Sequence, residues 1–148
     1  MNSAPTEIRN AVTADASEMA RLSAELGYPV SSAEMLRRLE VLLPNERHHV
    51  VVVASGDRLL GWAHVEQRFS VEGGAKGELV GLVVDSTARR HGWGRVLVEA
   101  AEEWALAQGL PSLTVRSNAA RELSHPFYES LGYSRAKTQH VYTRKFHA

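Results

Sequence analysis

The sequence predicts a single domain of the mixed α/β class, with about six to seven strands and four helices. Three observations carry that prediction. Short apolar, β-branched runs alternate with amphipathic helical stretches along the chain, two helices intervene between the first two strands, and a tight turn joins the next two strands as a hairpin. At 148 residues the chain has the size of one domain with one core, and no repeat or linker divides it.

Glu7 to Ala11 reads as a first short strand. Asp15 and Glu18 have the spacing of a capping box, opening a helix through Leu26 with Met19 and Leu22 inward; Gly27-Tyr28-Pro29 stops it. Ser31 and Glu34 repeat the capping pattern for a second helix, with an apolar stripe of Met35, Leu36, Leu39, Leu42 and Leu43, ending near Pro44. His49 to Ala54 and Leu59 to Phe69 flank the turn Ser55-Gly56-Asp57-Arg58 as an antiparallel hairpin. After a Gly-rich loop from Gly73 to Gly77, Glu78 to Val84 is a buried-type strand interrupted by Gly81, which marks either a bulge with close approach or a gap filled by a neighbouring side chain. A helix from about Gly92 to Gln108 puts Val96, Leu97, Ala100, Ala101, Trp104 and Ala105 on one face, and Gly109 ends it. Leu113 to Val115 is a further strand, Ala120 to Leu131 a helix closed by Gly132, and Tyr133 to Phe146 a closing pair of strands.

Composition excludes several classes of function. Seventeen basic residues balance seventeen acidic ones, so nothing draws the whole chain to nucleic acid or to an anionic membrane. There is no cysteine, which removes disulfides, thiolate metal sites and a Cys nucleophile. The longest strongly apolar run, Val50 to Ala54, falls far short of the ~20 residues that span a bilayer, and Met1 to Pro5 lacks a signal pattern. A cytoplasmic protein is the expectation. Seven histidines include His48-His49, but no H-x-x-x-H spacing with a third ligand occurs, so no metal is predicted.

The chemically informative segment is Arg89-Arg90-His91-Gly92-Trp93-Gly94-Arg95, between a strand end and a helix. A helix start leaves about four backbone N–H groups unpaired and carries about +0.5 of a charge, so it favours acidic residues. Three arginines stand there instead, which is unfavourable unless an external anion sits among them; a phosphate or pyrophosphate is the implied guest. A dinucleotide fingerprint would need a third glycine where Leu97 stands, and a Walker loop would need Lys followed by Ser or Thr where Arg95-Val96 stands.

Leu82-Val83-Val84-Asp85 followed by Arg89 to Arg95 resembles the acyl-CoA signature R-x-x-G-x-G/A of the GNAT superfamily of N-acetyltransferases. Asn118 and His125-Pro126-Phe127-Tyr128-Glu129-Ser130-Leu131-Gly132-Tyr133 resemble its second hallmark, a helix with F-Y-x-x-L-G-F/Y. With the two N-terminal helices and the antiparallel hairpin, the resemblance covers essentially the whole chain. The resemblance implies a GNAT-like mixed, mostly antiparallel central sheet, split at a V-shaped opening after the fourth strand. There the pantetheine arm of acetyl-CoA would pair with backbone at Leu82, Val83 and Val84, and the pyrophosphate would lie on Arg89, Arg90, His91, Gly92, Trp93, Gly94, Arg95 and Val96. Asn118 and Tyr128 would also contact the cofactor. It implies direct transfer of the acetyl group to a primary amine of a small molecule or of a peptide or protein. Tyr128 would protonate the leaving thiolate, and Glu78 would act through water as base; Glu66 on the neighbouring strand is a rival base, and strand alternation lets either it or His64 look into the acceptor cleft. Homodimerisation is common in the family. A CoA-binding regulatory domain without chemistry is the other reading of the same motifs. The acceptor would be framed by Gly27 to Val30, Ser70 to Lys76 and Lys137 to His140, and no run of acids marks it as polycationic.

Overall fold

The computed structural model describes residues 5–88, 91–116 and 124–146, without the side chains of residues 124 and 125, and it forms two compact units, Met1–Arg116 and Ser117–Ala148. In the first unit the elements are β1 (Thr6–Asn10), α1 (Ala16–Glu25), α2 (Ser32–Leu42), β2 (His48–Ser55), β3 (Arg58–Ser70), β4 (Gly74–Val84), α3 (Trp93–Ala107) and β5 (Leu113–Val115). The strands lie in chain order, β1-β2-β3-β4-β5, antiparallel throughout except for the parallel β4–β5 pair that α3 connects.

Alternation along β2 sends Val50, Val52 and Ala54 to one face of the sheet and Val51 and Val53 to the other, all buried. α1 and α2 cover the first face, where Met19, Leu22, Met35 and Leu39 join those residues, Leu59 and Val83 in one core. α3 covers the second face with Leu97, Val98, Ala101 and Ala105, and Trp104 stacks on His49 at 5.7 Å between ring centroids. Each fully buried Leu or Val contributes about 1.5–3 kcal/mol relative to exposure, so both faces need their helices.

The start of α1 departs from expectation. Asp15 and Glu18 form no reciprocal box; Asp15 accepts from the Val12 N–H (2.8 Å) and takes the Arg9 guanidinium through both oxygens (2.8 and 2.9 Å). Glu18 turns to Arg21 and to the Leu59 N–H (2.9 Å). Charge-assisted partners on the sheet outcompete the local cap. At α2 the cap forms as expected, with the Ser31 hydroxyl accepting from the Glu34 N–H at 3.0 Å.

Asp85, at the end of β4, is the polar knot of this unit. It is fully buried, its Oδ2 accepting from Arg21 (2.9 Å) and Arg58 (3.1 Å) and its Oδ1 from the Thr87 N–H (2.8 Å) and hydroxyl (2.6 Å). Burial alone would raise its carboxyl, but the hydrogen bonds from Thr87, Arg21 and Arg58 outweigh it and hold the group well below the usual carboxylate range. The knot ties α1 and the start of β3 to the chain that leads toward α3.

Two expectations about strands are corrected. β4 begins at Gly74 rather than Glu78, because Ala75, Lys76 and Gly77 continue the ladder opposite Phe69, Arg68 and Gln67; backbone pairing does not require the apolar pattern that marks the rest of the strand. Among the described residues the sheet has five strands, not six or seven. In the second unit α4 (Ser124–Ser130) is followed by a turn with Gly132 at φ 93°, and residues 133–146 form no strand. Val141, Tyr142 and Phe146 are all highly exposed, so the stretch has no apolar face to hold a ladder against a core. The start predicted for this helix, Ala120, lies outside the described residues.

Candidate active site

The sheet opens after its fourth strand. β4 and β5 pair only at Gly77, Glu78 and Leu79, opposite Leu113, Thr114 and Val115, and among the described residues no strand lies against that edge of Val80 to Val84. The Asp85 N–H donates to the Leu60 carbonyl on β3 (2.8 Å), so by antiparallel alternation Val83 bonds toward β3 while the N–H and C=O of Leu82 and Val84 face the open edge. Of the three residues singled out on this strand, Leu82 and Val84 thus present backbone to the opening; Val83 turns its backbone inward and buries its side chain under α1 and α2. The register slips between His64 and Val65, leaving Val80 as the extra residue of a β-bulge beside Gly81. Both readings of Gly81 hold, since the Trp62 ring also lies where its Cβ would be, at 2.6 Å.

The open edge leads to the start of α3. Gly92 caps the helix at φ 79°, a left-handed conformation that suits glycine, and among the described residues no side chain caps it. The N–H groups of Trp93, Gly94 and Arg95 precede the first intrahelical bond, which the Val96 N–H makes to the Gly92 carbonyl at 3.1 Å. His91 and Arg95 are exposed, Arg95 lying 3.8 Å from Glu99, and Trp93 is half-buried. Arg89, Arg90 and Asn118 lie outside the described residues. The geometry is that of an anion cradle of backbone donors.

On the α1/α2 face of the sheet, beyond the apolar core, the structure brings together Glu78, Glu66, His64 and His48. Glu78 is buried rather than a solvated strand end, and its Oε1 accepts from Arg116 at 2.9 Å with Arg68 at 3.6 Å. Glu66 stands opposite it on β3. His48 pairs across β2–β3 with Glu66, its Nδ1 3.6 Å from Glu66 Oε2 and 3.0 Å from His64 Nε2. Burial, and secondarily the neighbouring His48, push the His64 imidazole down to about 4. The Trp62 Nε1, on the same face of β3, is buried without a hydrogen-bond partner among the described residues.

The two lowered histidines make stability pH-dependent. Burial also lowers His49. Between pH ~6.5 and about 4 the unfolded chain binds protons that folded His64 refuses, so acidification favours unfolding; His64 alone accounts for up to about 3 kcal/mol of the loss. Thermal midpoints measured across that window should fall with pH in the parent protein and fall less in His64→Gln; equal slopes would remove His64 as the cause.

In the second unit Tyr128 sits on α4, half-buried, with its ring edge-on to Phe127 (5.1 Å) and to Tyr133 (6.2 Å). Its carbonyl accepts from the N–H groups of Leu131 and Tyr133, both at 3.1 Å, which closes the helix. The side chain of His125 lies outside the described residues.

These features, an antiparallel sheet opened at its fourth strand and an uncapped Gly-led helix at the end of that opening, define an acyl-CoA-type acetyltransferase fold. Residues 15–133 match the acetyltransferase (GNAT) family model, and the chain belongs to that family, the N-acetyltransferases. It is 24% identical over 114 residues to the uncharacterized N-acetyltransferase YhdJ of Bacillus subtilis (strain 168), covering 76% of this chain and 80% of that protein. Its fold is similar to that of an aminoglycoside antibiotic 6'-N-acetyltransferase from Acinetobacter haemolyticus, at 23% identity and a TM-score of 0.81 over 95% of this chain and 99% of that one. It is also similar to the acetyltransferase AAC(6')-Iy solved with a bisubstrate analogue of CoA and acetylneamine, at 16% identity and a TM-score of 0.84 over 96% and 99% of the two chains. Among the described residues no helix is long and apolar enough to cross a membrane, and no group of three or more His, Cys, Asp or Glu is placed to hold a metal ion.

Proposed function

We propose that this chain, acting as a single domain in the cytoplasm, transfers the acetyl group of acetyl-CoA to a primary amine of a small molecule or of a peptide or protein. The observation that carries the reading is the continuity of the open β4 edge with the α3 start: outward backbone at Leu82 and Val84 suits an amide-bearing arm, and the Gly92-capped helix end suits a pyrophosphate. AAC(6')-Iy, solved with a CoA-containing analogue, supports the choice of cofactor. Arg89, Arg90, His91, Arg95 and the backbone from Gly92 to Val96 would hold the pyrophosphate, and Asn118 the arm.

Tyr128 is the proposed proton donor to the leaving thiolate. A phenol of pKa ~10 can donate to a thiolate of pKa ~8.5 once that thiolate forms in a desolvated site. For the base, the family resemblance offers Glu78 acting through a bridging water, but its burial against Arg116 and Arg68 counts against it. Homodimerisation remains compatible with this reading.

Thiol release from acetyl-CoA, followed across a panel of primary amines, tests the proposal. At least one amine should give product, and Tyr128→Phe should cut turnover more than tenfold with little change in acetyl-CoA affinity. Binding of acetyl-CoA without turnover of any amine would favour the regulatory reading; unchanged turnover in Tyr128→Phe would remove that residue from the mechanism.

A further inference from the structure

We infer that His64, relayed through His48 to the neighbourhood of Glu66, rather than Glu78, receives the proton that the acceptor nitrogen loses. The inference rests on the acetyl-transfer reading and deepens it. An arm paired along Val84 and Leu82 runs toward the point where β5 rejoins β4 at Leu79, so its acyl end stops at the bulge of Val80 and Gly81. The register partner of Gly81 on β3 is His64. α3 occupies the opposite face, and the Trp62 ring covers Gly81 itself, so a nucleophile reaching the acyl carbon from the α1/α2 face meets the His64 imidazole as the nearest titratable group along β3.

Glu78 is poorly placed to compete. Its Oε1 is engaged by Arg116 and faces Arg68, so taking a proton there would leave two guanidinium groups around a neutral acid. Near His64, the charged and titratable groups that the described residues place on this face are His48 from β2, Glu66 and Arg68 from β3, Glu78 from β4 and Arg116 after β5; Glu18 and Arg21 of α1 meet it farther along, at Leu59 and Asp85. The core residues that α1 and α2 bring to the face, Met19, Leu22, Met35 and Leu39, are apolar.

The 3.0 Å contact fixes the relay's geometry. With one proton between the facing nitrogens, carried on His64 Nε2, the His64 Nδ1 is a neutral acceptor. As the acceptor nitrogen bonds to the acyl carbon and the C–S bond breaks, the electron pair leaves with sulfur. The nitrogen's proton passes to His64 Nδ1 while the Nε2 proton passes to His48 Nδ1. The His48 imidazolium then faces the Glu66 carboxylate at 3.6 Å, which stabilises the charge. His64, neutral down to about 4, cannot retain the proton, and this favours its onward transfer.

The test compares the parent with His64→Gln and His48→Gln, using an amine that the parent acetylates. At pH 7, His64→Gln should lower kcat at least twentyfold and His48→Gln fivefold or more, with KM for acetyl-CoA within twofold. Both deficits should shrink as pH rises and hydroxide can take the nitrogen's proton in place of the relay. Histidine-ring NMR supplies a readout independent of turnover: His64 should stay neutral at pH 5, and His48→Gln should shift its ring nitrogens. Parent-like pH profiles in both variants, or a His64 that is protonated at pH 6, would overturn the relay while leaving the acetyl-transfer reading standing. A parent that binds acetyl-CoA and acetylates no amine would overturn both.

Discussion

Replacing Asp85 with alanine should lower the free energy of unfolding by about 3–4 kcal/mol, near the cost of breaking a buried ion pair by removing one partner. The carboxylate is wholly inaccessible to solvent and receives four hydrogen bonds from three residues. Without it the Arg21 guanidinium, held also by Glu18 and the Leu59 carbonyl, and the Thr87 N–H lose a common acceptor. Arg58 is the control: its side chain is 54% exposed, so Arg58→Ala should cost only about 1 kcal/mol or less. In thermal unfolding, Asp85→Ala should fall roughly 10–15 °C below the parent. A shift no larger than that of Arg58→Ala would show that Asp85 is not the knot. The sign with pH follows from the lowered carboxyl: its contribution is complete above the unfolded value of ~3.9 and is lost as pH drops toward the folded one.

The second large effect concerns binding. Gly92→Glu should weaken acetyl-CoA at least a hundredfold, because it sets a carboxylate among the backbone donors proposed to hold the pyrophosphate. Gly92→Ala separates the causes. Among the described residues no heavy atom lies within 4 Å of the added Cβ, so against them the alanine variant meets only the left-handed backbone at φ 79°, a cost of about 1–2 kcal/mol in stability. Its binding should weaken no more than about tenfold. Calorimetric titration of acetyl-CoA into both variants decides the matter; equal losses would mean that backbone strain, not charge, accounts for the effect, and unimpaired binding in Gly92→Glu would move the pyrophosphate elsewhere.

The sequence was most informative where local chemistry decides structure. Ser31 caps α2 as its spacing says, Leu113 to Val115 is a strand with those bounds, and Gly92 marks the start of α3 because few other residues take its conformation. Asp15 and Glu18 show the limit of local patterns, since each carboxylate prefers an arginine to a backbone cap. Long-range pairing was not legible. Arg21 and Asp85 are 64 residues apart, and Arg116 and Glu78 are 38 apart; neither pair forms a pattern until the sheet is assembled. His48 and His49 look alike in the chain. Only the β2–β3 register decides that the first joins His64 and Glu66 while the second turns over to stack on Trp104. The bulge at Val80 was half visible, through the glycine beside it, and the early start of β4 was hidden by the glycines that precede it.

The identity of chain order and sheet order bears on how the molecule is made on the ribosome. β3 and β4 each find the preceding strand already synthesised and only a short turn away, so the β2–β4 meander can zip as it emerges. α3 comes after it, and until Trp93–Ala107 is released the face bearing Val51, Val53, Ala63 and Val65 has no cover. A nascent chain stalled before α3 would therefore present a chaperone with a nearly complete sheet, apolar on one side and still lacking the helix end proposed to hold the donor.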